Sequence, residues 1–204
     1  MKILFTAAIM LATFTCFAQQ ESDFKVFNRN LTINKADNGT VMYLNDSSNA
    51  GVAWIKDAKF INGNIEFDIK GRDILQRSFV GIAFHGVSDT TYDCVYFRPF
   101  NFNAADKVRK SHAVQYVSES KYDWEILRNT YPNKYEQPLH TPPDANSWFH
   151  ARISVNGKTI KVYVNNEATP SLTVEQIQSM NGTMIGYWVG NGSDGWWKNL
   201  KISK

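Results

Sequence analysis

The sequence predicts an all-β fold, a sandwich or barrel of short antiparallel strands. Two observations carry this. Apolar residues alternate with polar or small ones over many short runs, the period of a half-buried strand. Turn signals separate those runs: Asn38-Gly39, Asn62-Gly63-Asn64, Asn156-Gly157, Asn181-Gly182 and Asn191-Gly192-Ser193-Asp194-Gly195.

The chain of 204 residues opens MKILFTAAIMLATFTCFAQQ. Lys2 precedes an apolar run from Ile3 to Phe17, and Cys16-Phe17-Ala18 offers the small residues a signal peptidase needs. Residues 1–18 are therefore expected to be a secretory signal peptide, and 19–204 a single domain, secreted or periplasmic. The apolar run is short for a spanning helix, so membrane insertion is not expected. Without Lys2 the chain carries 21 basic against 19 acidic residues. Acids are interspersed with bases, so nothing points to a nucleic-acid partner. Beyond the leader Cys94 is the only cysteine, which excludes an internal disulfide and leaves stability to the core.

Strand candidates follow in order. Val41 to Leu44 and Gly51 to Trp54 come first. In Asn64 to Lys70, Ile65, Phe67 and Ile69 share one face and charges the other. Phe79 to Asn101, FVGIAFHGVSDTTYDCVYFRPFN, holds two alternating runs around a polar loop. Val80, Ile82, Phe84, Val95 and Phe97 should face a core. The opposite face then carries Gly81, Ala83, His85, Cys94, Tyr96 and Arg98. Small residues beside an imidazole, a phenol and a guanidinium suggest a floor for a small polar ligand. Ala113 to Ser118 resembles a strand within the long polar and aromatic stretch from Phe100 to Ser147; loops this long are usually functional. Ala151 to Val155 and Ile160 to Val164 flank the Asn156-Gly157 turn. Thr173 to Met180 reads as one or two helical turns. Met184 to Val189 and Trp196 to Ile202 close the chain. Asn-x-Ser/Thr triplets at Asn30, Asn38, Asn45, Asn181 and Asn191 read as turn chemistry before glycosylation sites.

The order of these features resembles the concanavalin A-like lectin/glucanase superfamily, and within it the secreted 3-keto-disaccharide hydrolase-like (family 16-like glycosyl hydrolase) domains. The matching segments are GNIEFDIKG at 63–71, FVGIAFHG with YDCVYFRPFNF, and WFHARISVNGKTIKVYVNNE followed by GTMIGYWVGNGSDGWWKNLKI. The resemblance covers roughly Asn49 to Lys204 and implies a two-sheet antiparallel jelly-roll sandwich with long loops over a concave face. It also implies a carbohydrate ligand and a glycoside hydrolase or lyase, with a 3-keto glycoside as one substrate. A non-catalytic, lectin-like module is the alternative on the same fold. Family 16 glucanases carry E-x-D-x-x-E on one strand. Here Glu66 and Asp68 match, but Gly71 replaces the second Glu, so a two-carboxylate retaining mechanism is not supported there.

Three clusters compete for the site. His85, Tyr96 and Arg98 lie on the hairpin; His85 is the first candidate base, with the others stabilising charge. The rival reading pairs Arg98 with an acid and leaves His85 capping a strand. Gln115, Tyr122, Trp124, Arg128, Tyr135 and Glu136 lie in the long loop region. Trp124 is the preferred sugar platform, Gln115 and Arg128 bind hydroxyls, and Glu136 is the second catalytic candidate. The rival reading ties Arg128 to Glu125 or Glu136. Trp188, Asp194, Trp196 and Trp197 form the third cluster. Trp188 should join the open face as a ligand contact, and at least one of Trp196 and Trp197 should be core. The histidines lack metal-ligand spacing and no motif requires a cofactor. Asp194, in its Gly-rich loop, leaves Ca²⁺ open, although turn chemistry explains that loop as well.

Overall fold

A computed structural model describes residues 20–36 and 39–204. The signal-peptide expectation for 1–18 and the triplet at Asn38 lie outside the described residues. The elements in chain order are a 3₁₀ turn (Glu21–Asp23), β1 (Phe24–Phe27), β2 (Leu31–Ala36), β3 (Gly39–Leu44), β4 (Gly51–Ile55), β5 (Gly63–Lys70), β6 (Val80–Ser88) and β7 (Thr91–Phe97). Then come α1 (Pro99–Phe102), α2 (Lys107–Lys110), β8 (Val114–Glu119), α3 (Trp124–Thr130) and β9 (Glu136–Gln137). β10 (Phe149–Asn156), β11 (Thr159–Val164), β12 (Leu172–Glu175), β13 (Met184–Val189) and β14 (Gly195–Ser203) complete the fold.

The strands form two seven-stranded antiparallel sheets. The first runs β1-β4-β13-β6-β7-β8-β9 and the second β12-β11-β10-β5-β14-β3-β2. Their inner faces meet in one core, supplied by the alternation read from sequence. Val80, Ile82, Phe84, Val95 and Phe97 are fully buried there, as are Ile65, Phe67, Ile69 and Trp197. No strand buries its apolar face alone; stacking the sheets removes both faces from water.

The helical expectation for Thr173 to Met180 is corrected. Leu172–Glu175 pairs with β11, with Leu172 and Val174 buried and Thr173 and Glu175 exposed. That is a two-residue period, and the pairing edge of β11 wins over weak helical propensity. Trp196 points outward on the second sheet, stacked on Tyr43 with the Lys70 and Arg72 cations over its ring.

β5 belongs to the second sheet, and its Glu66 and Asp68 face outward, where His150 meets Asp68 at 2.9 Å. A side chain begun at Gly71 would put its Cβ 2.6 Å from Ser78 Oγ and 2.7 Å from Pro99 Cγ. Packing therefore leaves no room for a glutamate there.

Candidate functional site

The outer face of the first sheet carries a pocket of about 740 Å³. Its floor follows from register. Gly81 pairs with both Trp188 and Tyr96, so the absent side chain lets two aromatic rings lie beside one another. A Cβ at Gly81 would come within 2.1 Å of the Val95 carbonyl oxygen. The Tyr96 and Trp188 rings sit 5.1 Å apart, and Trp188 Nε1 donates to the Tyr92 hydroxyl at 2.9 Å. Phe79 stands edge-on to Tyr96 and to Phe100, closing one wall.

The loops supply the rim. The short helix α3, capped by Asp123 accepting from the Ile126 amide at 2.8 Å, presents Trp124 and Arg128 to the pocket. Trp124 is 47% exposed, and the Arg128 guanidinium covers one ring face at 5.0 Å. Asn49, Gln76 and Asn191 add amides, and Arg109 and His112 complete the lining, with His112 Nε2 3.4 Å from Glu136.

Beneath this rim lies a buried polar cluster. Arg98 donates to the Tyr96 hydroxyl at 2.7 Å, to the His112 carbonyl at 3.0 Å and to Gln115 Oε1. Glu136 takes a two-pronged contact from Arg128, at 2.7 and 2.6 Å, and lies 3.5 Å from Arg98. Burial, offset in part by Glu136 and reinforced by Arg128 and Arg98, holds His112 below the ordinary imidazole range. Burial pushes the Tyr96 phenol well up, so it stays protonated.

One carboxylate in the pocket is different. Glu119, at the end of β8, lines the cavity, and its carboxylate makes no hydrogen bond or ion pair among the described residues. Burial, with help from the Asp123 charge, raises its pKa. The strand expected from sequence ends at Ser118. One residue more puts Glu119 on the face of Gln115 and Val117, and that extension was the available signal. His112 and Arg109 gave none, because neither lies on a strand.

The structure gathers Tyr96, Arg98, Trp124, Arg128 and Trp188 around the pocket and places Gln115 under it. Glu136 is also beneath the pocket, 3% exposed and committed to two arginines, rather than facing the cavity. Tyr122 packs against the core, and Tyr135 lies tilted against Tyr116 and edge-on to Tyr131.

The placement of His85 is corrected. Phe84 pairs with Asp93 and Ser88 with Thr91, so three residues, His85 to Val87, oppose Tyr92 alone. This bulge, with His85 at φ 52°, breaks the alternation and turns the imidazole inward. His85 Nδ1 meets Asp93 Oδ2 at 2.8 Å, and Nε2 donates to the Ile61 carbonyl at 2.8 Å. Asp93 also accepts from Tyr116, Ser118 and Gln176. His85 is therefore part of a buried strut and does not line the pocket. Asp194 is likewise committed, paired with Arg72 and accepting from Tyr43 at 3.3 Å. Among the described residues no group of three His, Cys, Asp or Glu side chains gathers in metal-binding array.

Comparison with solved structures places this architecture. The carbohydrate-binding module CBM66 from Bacillus subtilis superposes with a TM-score of 0.59 at 14% identity, over 89% of this chain and 96% of that one. The fold is concanavalin A-like. A Bacillus licheniformis β-glucanase matches with a TM-score of 0.52 at 14% identity, over 84% and 82% of the two chains. The exoplasmic/lumenal domain of VIP36, in a Ca²⁺/Man₃GlcNAc-bound form, matches at 0.53 and 9% identity, over 91% and 87%. Identities this low establish the shared fold and nothing finer. No family model and no curated protein matches the sequence.

Proposed function

We propose that this chain is a carbohydrate-binding protein whose ligand enters the pocket on the outer face of the first sheet. The observation that carries the reading is the pairing of an aromatic floor, Tyr96 beside Trp188, with a rim of Trp124, Arg128 and the amides of Asn49 and Gln76. Ring faces suit the apolar C–H side of a pyranose, and amides and guanidiniums suit its hydroxyls. The neighbours that are a carbohydrate-binding module, a glucanase and a Man₃GlcNAc-bound domain support it by analogy. The leader-like residues 1–18 support a location outside the cytoplasm.

The test is a glycan array of neutral and anionic members, followed by calorimetric titration of each hit. Trp124→Ala removes the exposed platform and should weaken binding by roughly tenfold or more while leaving the fold intact. Unchanged affinity in that variant would remove the ligand from this pocket.

Catalysis is a second reading, and Glu119 is the observation that favours it. An unpartnered carboxylate whose pKa burial raises, sharing a pocket with an imidazole whose pKa burial lowers, supplies a candidate acid and a candidate base. In that reading Glu119 protonates the glycosidic oxygen, water adds to the anomeric carbon, and His112 takes the water's proton. The same incubations are followed for new reducing ends. Release that stops in Glu119→Gln, with binding retained, would establish hydrolysis; binding without release leaves the protein a glycan-binding module.

A further inference from the structure

The charges at one end of the pocket do not balance. Arg98, Arg109 and Arg128 all line it, and a single carboxylate, Glu136, serves them. Glu136 gives its short contacts to Arg128 and lies 3.5 Å from Arg98. Arg109 has no acid partner among the described residues. It is held by neutral acceptors, Asn101 Oδ1 at 3.3 Å and the Phe100 carbonyl at 2.7 Å. These contacts use Nε and Nη2 and leave Nη1 without a partner; the Nη1 of Arg128 is free as well. α2 adds Lys107 and Lys110 near this end, against Asp106 at its cap. Glu119 lines the same pocket but pairs with none of the three arginines.

A second, independent observation concerns Gln115. It is fully buried beside Arg98, and its Oε1 accepts from Tyr96 and Arg98, yet its Nε2 has no partner. That donor lies beneath the pocket lining, an unpaired polar group that adds to the local cost of the cluster around Arg98. Of the three guanidiniums Arg98 is buried, Arg128 half-buried and Arg109 exposed, and together they leave the pocket lining with positive charge that one carboxylate does not offset.

We infer that the ligand is an anionic sugar, its carboxylate or sulfate group set against Arg109 and Arg128 while its ring rests on the aromatic floor. The guanidinium fork matches a planar carboxylate through two parallel hydrogen bonds, and a sulfate ester offers the same charge. This inference rests on the carbohydrate reading and narrows its substrate class. Burial also depresses the Arg98 pKa, the direction expected of a cation short of counter-charge.

Titration with galacturonate oligosaccharides, sulfated galacto-oligosaccharides and neutral galacto-oligosaccharides of equal length separates the possibilities. One anionic series should bind roughly tenfold or more tighter than the neutral one, and which series wins identifies the group. The advantage should shrink as sodium chloride rises. Arg109→Gln, an exposed position, should erase the preference without lowering the unfolding midpoint. Equal affinity for anionic and neutral sugars, or a preference that survives Arg109→Gln, overturns the anionic inference and leaves glycan binding standing. Silence of all three series and of the whole array overturns glycan binding itself.

Discussion

His85 and Glu119 show how single residues divide the work of this sheet. Alternation assigns His85 to the open face, yet its positive φ and the bulge around it deliver the ring to Asp93. A non-glycine residue in that conformation is held there by its surroundings, and four donors around one buried carboxylate supply the hold. His85→Ala should lower stability by about 2–3 kcal/mol, read as a shift in denaturant midpoint. Glycan affinity of the folded protein should not change. Lost affinity at unchanged stability would return His85 to the site. Glu119 shows the reverse. It satisfies no partner in the fold, so its burial is a cost the fold bears without structural return, a pattern common at functional sites.

Among the elements, β8 and its short partner β9 hold the polar cluster beneath the site. Gln115 and Glu136 are paired residues across these strands. The pairing aims Glu136 at Arg128, which comes from α3 eight residues earlier in the chain. Glu136 thus fastens the rim helix to the sheet. Glu136→Gln should cost about 3 kcal/mol in unfolding free energy, because it strands buried guanidiniums. It should also weaken glycan binding through a displaced Arg128. Full activity or full affinity in a variant of unchanged stability would refute this anchoring role. A directly catalytic Glu136 would instead lose turnover at unchanged stability. The sequence reading recognised the Arg128–Glu136 tie as one alternative, since loop residues of opposite charge near one another often pair. Sequence alone does not choose, because Glu125 lies three residues from Arg128 and Glu136 eight, both within reach in an irregular segment.

At the scale of the molecule, a two-residue period and its turn signals are enough for an all-β sandwich or barrel, since one-sided strands bury their apolar faces only in stacked or closed sheets, and the two-sheet sandwich is decided by the tertiary structure. They named the central hairpin, its core face, and five residues that line or floor the pocket: Tyr96, Arg98, Trp124, Arg128 and Trp188. These are legible because strand parity is local and because exposed aromatics in long loops have few other uses. The N-terminal strands β1 and β2 are not legible in the sequence: β1 is four residues long and its Phe27 is exposed, and Leu31 and Ile33 of β2 are only half-buried. Cys94, on the open-face parity, is fully buried and its thiol pKa is pushed up, in keeping with the packing role read from sequence.

What the chain determined alone was period, turn chemistry and side-chain type, all set by neighbours within a few residues. Tertiary structure decided whether a given group meets water, ligand or another group of the protein. A bulge moved His85 across the sheet, an arginine pair claimed Glu136, and one further strand residue left Glu119 facing the pocket unclaimed. Each outcome depends on groups distant in sequence competing for the same hydrogen bonds and the same buried space. No local pattern records the result of that competition.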